Sequence, residues 1–210
     1  MATKRKKGAA MKLYTAPGSC SSASHISLIE SGLPFEFVPF NMRETRTLPD
    51  GRQLSDINPK NYVPVLELDN GEFLTENVAI LQYIADQAPD SQLAPANGTL
   101  ERYRLQEWLA YINSEIHKTC ALVFMPGPEE TKDAARQRIT GRLAYIEEKL
   151  AGNNYLMGDE FTVADAYLFI VLSWAPMIKV DLSSFANIQA YQARVAGRDA
   201  VNQYQAAIGQ

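Results

Sequence analysis

The chain has 210 residues, 46% of them hydrophobic and 21% charged, the composition of a globular protein able to bury a core. That excludes a disordered tail, a collagen-like repeat and a disulfide-dense scaffold, and no apolar run reaches the roughly 18 residues needed to cross a bilayer. Of 20 basic and 24 acidic residues, Lys4, Arg5, Lys6 and Lys7 cluster at the start, leaving a net charge of −8 over the rest, which argues against nucleic acid as a partner.

Residues 1–10 read as a basic leader or tag ahead of Met11, with no apolar core of a secretory signal behind the charges. Lys12 to Ala16 reads as a strand halted by Pro17-Gly18, and Ser21 to Ser31 as a helix stopped by Gly32. Phe35 to Phe40 is a second strand. A polar stretch with a short helical turn over Leu54 to Ile57 leads to a third strand, Val63 to Leu68. Asp69-Asn70-Gly71 is a hairpin signal opening a short fourth strand, and Glu76 to Gln87 has helical spacing. This order predicts a small mixed sheet covered by helices over residues 11–88.

Pro89, Pro95, Asn97 and Gly98 mark a linker over residues 89–98. Residues 99–210 read as all-helical: one long helix from Thr99 to Val123, a second from Glu129 to Ala151, an apolar third from Thr162 to Trp174, then shorter segments. Thr162-Val163-Ala164-Asp165 is a capping box, read as a stability device, and the apolar run behind it predicts a central helix.

Cys20 and Cys120 are too few for a disulfide framework and no metal-ligand cluster accompanies them, so no metal is expected and a reducing, cytoplasmic setting fits. Cys20 stands where a strand and turn enter a helix. Backbone N–H donors and the helix dipole there favour a thiolate. With Ser21, Ser22 and Ala23 behind it, Cys20 lacks a partner for internal disulfide cycling; an inert, partly buried cysteine fits the same place.

A proline at the mouth of a strand leaves neighbouring backbone groups unpaired. If Val63–Pro64 is cis, the Val63 N–H and C=O would face a peptide-like ligand and pair with it strand-fashion; a plain edge-strand proline is the alternative. Thr75-Glu76-Asn77 opens a helix whose free N–H groups would bind a carboxylate, with Glu76 holding an ammonium beside it, unless the segment merely caps. On the long helix, about 100° per residue puts Leu105, Trp108, Leu109, Ile112 and Ile116 on a core side. The same spacing puts Tyr103, Gln106, Glu107, Ala110, Ser114 and His117 on a face suited to a cleft. His117 and Lys118 would supply positive charge there, or His117 would simply be solvated.

Four segments together, MKLYTAPGSCSSASHISLIESG, NPKNYVPVLELDNGEFLTENVAILQYIAD, WLAYINSEIHK and GDEFTVADAYLF, resemble the cytosolic glutathione transferases, most of all the bacterial beta class. The resemblance spans Met11 to about Ala200. It implies a thioredoxin-like N-terminal domain, an all-α C-terminal domain, a cytoplasmic homodimer and a detoxifying transferase. That enzyme would join the glutathione thiolate to a small hydrophobic electrophile, without metal, nucleic acid or membrane.

It further implies that Cys20 lies near the glutathione sulfur, Val63 and a cis Pro64 pair with the tripeptide, and Glu76 and Asn77 hold its γ-glutamyl end. Ser114 and His117 would reach across, and Arg46 would suit the glycyl carboxylate. Asn77 stands where the class often has glycine or serine, and Ala110 where relatives carry a ligand-contacting asparagine. Tyr14, Ser21 or Ser22 could imitate the activating hydroxyls of other classes, and Tyr111, Phe124 and Trp174 are candidate apolar contributors. Two other readings accompany this one: a thiol transferase or reductive dehalogenase using Cys20 covalently, and a non-catalytic stress or interaction protein of the same fold.

Overall fold

The computed structural model describes residues 10–39 and 46–209; the Lys4 to Lys7 run and Phe40 lie outside the described residues. Strands β1 (Met11–Thr15), β2 (Phe35–Pro39), β3 (Val65–Glu67) and β4 (Phe73–Thr75) form one sheet in the order β2-β1-β3-β4. β1 and β2 run parallel with Leu13 opposite Phe37, while β1–β3 and β3–β4 are antiparallel. The parallel pair needs a crossover, which is helix α1 (Ser21–Ser31). Gly32 ends α1 at φ +66°, a left-handed cap open to glycine without a Cβ penalty. The β3–β4 turn closes as Asp69-Asn70-Gly71 predicts, with the Leu68 N–H donating to the Glu72 carbonyl at 2.8 Å.

Alternation along the strands splits the core between the two faces of the sheet. Met11, Leu13 and Leu66 pack with Leu28 of α1 and with Ile80 and Ile84 of α3 (Asn77–Gln87). Tyr14, Val38 and Val65 pack on the other face with Leu54 and Ile57 of the short α2 (Leu54–Ile57).

Past a turn of 3-10 helix at Pro89–Ser91, every further regular element but one is α-helical. These helices are α4 (Leu100–Tyr111), α5 (Lys118–Phe124), α6 (Glu129–Leu150), α7 (Val163–Leu172), α8 (Ala175–Ile178), α9 (Ala186–Ala196) and α10 (Asp199–Ala207). The long helix expected over Thr99 to Val123 does run through, but with a π-helical turn at Ile112–His117 joining α4 to α5. There the Lys118 N–H reaches the Asn113 carbonyl five residues back.

All ten residues of α7 are buried, as an apolar run on every side requires. Its N-terminus carries the expected box: the Asp165 carboxylate accepts from the Thr162 N–H and hydroxyl and from the Leu156 N–H, each at 2.9 Å. Burial pushes the Asp165 carboxyl up to about 6 against the pull of these donors.

The helical part shares one core with α1 and α3 through Ala23, Ile26, Leu81 and Ala85. Two bidentate ion pairs tie the same parts together. Arg102 grips Asp86 at 2.8 and 3.0 Å, and Arg198 grips Glu30 at 2.6 and 3.0 Å. Among the described residues no helix is long and apolar enough to cross a membrane.

Candidate active site

The loop between β1 and α1 is built from hydroxyls. Ser21 Oγ shares hydrogen bonds with Thr15 at 2.5 Å and Ser19 at 2.6 Å and accepts from the Ala16 N–H. Ser22 Oγ accepts from the Gly18 N–H and from the Tyr204 hydroxyl. Both serines are fully buried, so neither hydroxyl is presented as a thiol activator; they shape the turn instead. The helical part clamps that turn from outside, with Trp174 Nε1 donating to the Gly18 carbonyl at 2.9 Å and the Gly18 N–H donating to Tyr204 Oη at 3.2 Å.

This scaffold sets the partly buried Cys20 at the start of α1, its sulfur 3.7 Å from the Val63 carbonyl to which the thiol donates. The expected preference for the thiolate does not hold. Burial pushes the Cys20 thiol up to about 12, while its own and the Ser21 N–H groups, with the charge of Lys118, pull down less strongly. Helix-terminus donors act as the sequence suggests, but loss of water outweighs them.

The Val63–Pro64 bond is cis, and Val63 is buried with its C=O facing Cys20. Glu76 holds a left-handed φ of +73° at the N-cap of α3, a strained geometry for a non-glycine residue. Its carboxylate accepts from Lys60 Nζ and from the Tyr62 hydroxyl at 2.7 Å and is held below its ordinary pKa, chiefly by Lys60. An incoming ammonium would share that carboxylate with Lys60. Arg46 is exposed, and its guanidinium donates to the Asn61 carbonyl at 2.9 Å, beside Lys60 and Tyr62 in the chain.

Asn77 is buried, and its Oδ1 accepts from the Ser24 hydroxyl at 2.7 Å. Its Nδ2 makes no hydrogen bond, although the amide lies close enough to the Tyr167 phenol to lower that group's pKa. The whole phenol is nevertheless raised by burial.

His117 is half-buried, with Nδ1 2.6 Å from the Tyr167 hydroxyl and its ring against Trp174, centroids 5.2 Å apart. Burial, helped by Lys118, lowers the His117 pKa to about 4, so it is neutral at pH 7. The expected positive charge at this position therefore comes from Lys118, not from His117.

Three other expected residues have the following surroundings. The Tyr14 hydroxyl donates its one proton to Glu67 at 2.7 Å and accepts from Arg52, leaving nothing to give a thiolate. Burial pushes its pKa up to about 12, with Glu67 adding to the rise. Ser114 is exposed on the π-helical turn that also carries His117. Tyr111 packs edge-on to Trp108 and Tyr145 and donates to the Arg142 carbonyl on α6, while Trp174 and Phe124 pack edge to face with each other.

Tyr167 and Asn113 were invisible as site residues in the sequence. One signal existed for Tyr167: a buried phenol in the apolar run of α7 must find a polar partner. Among the described residues no group of three or more His, Cys, Asp or Glu side chains could hold a metal ion.

Two family models match the chain, "Glutathione S-transferase, N-terminal domain" over residues 13–92 and "Glutathione S-transferase, C-terminal domain" over residues 80–199. Glutathione S-transferase GstA of Escherichia coli O157:H7 is 44% identical over 91% of this chain and 95% of its own. A sphingomonad glutathione S-transferase complexed with glutathione superposes with a TM-score of 0.90 at 42% identity, covering 94% of this chain and 98% of that one. The bacterial beta-class glutathione S-transferase of Sphingomonas chungbukensis superposes with a TM-score of 0.89 at 44% identity, covering 93% and 98%.

Proposed function

The chain belongs to the glutathione S-transferase family, and from that membership we propose that it conjugates the glutathione thiolate to small hydrophobic electrophiles. The observation carrying this reading is the Cys20–Val63 pair. A helix N-terminus and the Val63 carbonyl, which precedes the cis proline, converge on one sulfur position, in a chain 42% identical to a relative that holds glutathione. Glutathione would lie along the Val63 main chain, its γ-glutamyl end at Glu76 and the N-terminus of α3, its glycyl carboxylate toward Arg46. Its sulfur would sit beside Cys20, with Lys118 contributing charge.

The reaction breaks the S–H bond and leaves the electron pair on sulfur. The sulfur then attacks an electrophilic carbon, and the carbon's leaving group departs with the bonding pair. Trp174 and Phe124 would offer the electrophile an apolar wall.

A protonated Cys20 that donates to the Val63 carbonyl supports a positioning role over a covalent one, because the thiolate is the reactive form. Cys20→Ala should therefore keep conjugation and lack disulfide exchange. We further propose a cytoplasmic, detoxifying homodimer of bacterial type.

Calorimetric titration with reduced glutathione tests the reading. Saturable binding at one site per chain is expected. No heat at millimolar glutathione would overturn it in favour of a non-catalytic relative.

A further inference from the structure

We propose that Lys60 sets the site's selectivity for a free amine. Its ammonium rests on the Glu76 carboxylate as a tethered stand-in for the γ-glutamyl ammonium, which must share that carboxylate or displace it. The inference rests on the transferase reading, which puts the γ-glutamyl end at Glu76.

The pairing is built by the segment just before Val63. Asn58 is fully buried and fastens that segment at its base. Its Oδ1 accepts from the Lys60 N–H at 3.1 Å, and its Nδ2 donates to the Tyr62 carbonyl at 2.7 Å. The Asn61 N–H donates to the Asn58 carbonyl at 2.8 Å, and Asn61 turns the chain at φ +57°. Held this way, Lys60 and Tyr62 both reach the N-terminus of α3, where Nζ and the phenol donate to the same Glu76 oxygen, Oε1. Nζ also lies 5.6 Å from the Tyr62 ring centroid, within cation–π range. The pairing holds Glu76 below its ordinary pKa and Lys60 above its own, so both are charged at pH 7.

A γ-glutamyl ammonium arriving at Glu76 gains the attraction of the carboxylate but meets a like charge already in contact with it. Lys60 and Glu76 are each about half exposed, so their pair is a weak one and gives way. The free amine is therefore worth less here than on an unpaired carboxylate. A ligand without the amine leaves Lys60 in place and loses nothing by it. Substrate and conjugate keep the same γ-glutamyl end, so Lys60 weakens both alike, raising KM while hastening product departure.

Calorimetric titration of the full chain with two ligands tests this. One is S-methylglutathione; the other is its analogue with glutaryl in place of γ-glutamyl, which lacks only the amine. Lys60→Met keeps the apolar stem and removes the charge. It should bind S-methylglutathione about three- to fivefold more tightly than the wild type, and the glutaryl analogue no more tightly. Lys60→Arg keeps a cation and should stay within roughly twofold of the wild type for both. Should Lys60→Met fold poorly, Lys60→Gln makes the same test. Glu76→Gln should lose the preference for the amine.

Unchanged or weaker binding of S-methylglutathione by Lys60→Met, an equal gain with both ligands, or a preference that survives Glu76→Gln would overturn the inference while glutathione binding stands. A wild type that binds neither reduced glutathione nor its S-methyl derivative would instead overturn the transferase reading, and this inference with it.

Discussion

Trp174 Nε1 donates to the Gly18 carbonyl at 2.9 Å, so a residue of the helical part, 156 positions away, holds the turn that presents Cys20. Gly18 sits at φ +76°, where a side chain would be strained, and Tyr204 holds the same glycine through its N–H. The geometry at the thiol is thus set by both halves of the chain at once.

Trp174→Phe should expose that dependence. Losing one hydrogen bond and part of a buried ring is expected to cost about 1–3 kcal/mol of stability. It should also loosen the turn, so that Cys20 reacts severalfold faster with a small alkylating reagent. An unchanged alkylation rate would mean that Tyr204 and the serine network hold the turn unaided.

Cys20 itself should be a slow nucleophile in the ligand-free protein. With the thiol pushed up to about 12, it is protonated at pH 7. In a Cys120→Ala background, alkylation by iodoacetamide should therefore keep rising with pH through 10 and show no plateau. A plateau near pH 8 would reveal a thiolate that this desolvated site should not support.

His25 gives the fold a pH dependence. It is buried in α1, stacked on Phe37 at 4.4 Å and edge-on to Phe35 and Tyr204, with Nδ1 unpartnered, and burial lowers its pKa from 6.5 to about 4. Below about pH 6.5 the unfolded chain takes up a proton that the folded chain resists until about pH 4. Stability therefore falls as the pH drops through that window, by about 3 kcal/mol for this group. His25→Phe keeps a ring in place and removes the proton site. Urea unfolding at pH 7 and pH 4.5 should show the variant losing distinctly less stability than the wild type, His117 being common to both. Equal losses would place the acid sensitivity elsewhere.

Asp165→Ala is expected to be among the most damaging single substitutions. It strips the cap of the central helix and orphans the buried Leu156 and Thr162 N–H groups. A capping loss of about 1 kcal/mol plus about 1–3 kcal/mol for each stranded donor gives about 3 kcal/mol or more. Urea midpoints should drop accordingly with the m-value unchanged, and Asp165→Asn should retain part of the cap. A drop below about 1 kcal/mol would show that water replaces the carboxylate.

What could be read along the chain was whatever local chemistry decides. Pro17-Gly18 and Asp69-Asn70-Gly71 end strands through their own backbone preferences, Gly32 stops α1, and Thr162 with Asp165 starts α7, each within a few residues. Cys20 at a helix entrance and Pro64 at the mouth of a strand belonged to the same class of signal, whereas the meeting of Cys20 with Val63, 43 residues away, is a tertiary contact. The π-helical turn escaped because a 3.6-residue period runs almost undisturbed through one widened turn, yet that turn carries Asn113 and His117 to Tyr167.

The electrostatics escaped for another reason. A sequence shows that Cys20 meets a helix dipole and that His117 neighbours Lys118. It does not show how much water each group keeps, and desolvation reverses both expectations here, holding the thiol protonated and the imidazole neutral. Burial depends on segments that meet only after the chain has folded. In the same way, tertiary contact alone decided that Trp174 would grip Gly18 and that the Tyr167 hydroxyl, 50 residues from His117, would meet its Nδ1 at 2.6 Å.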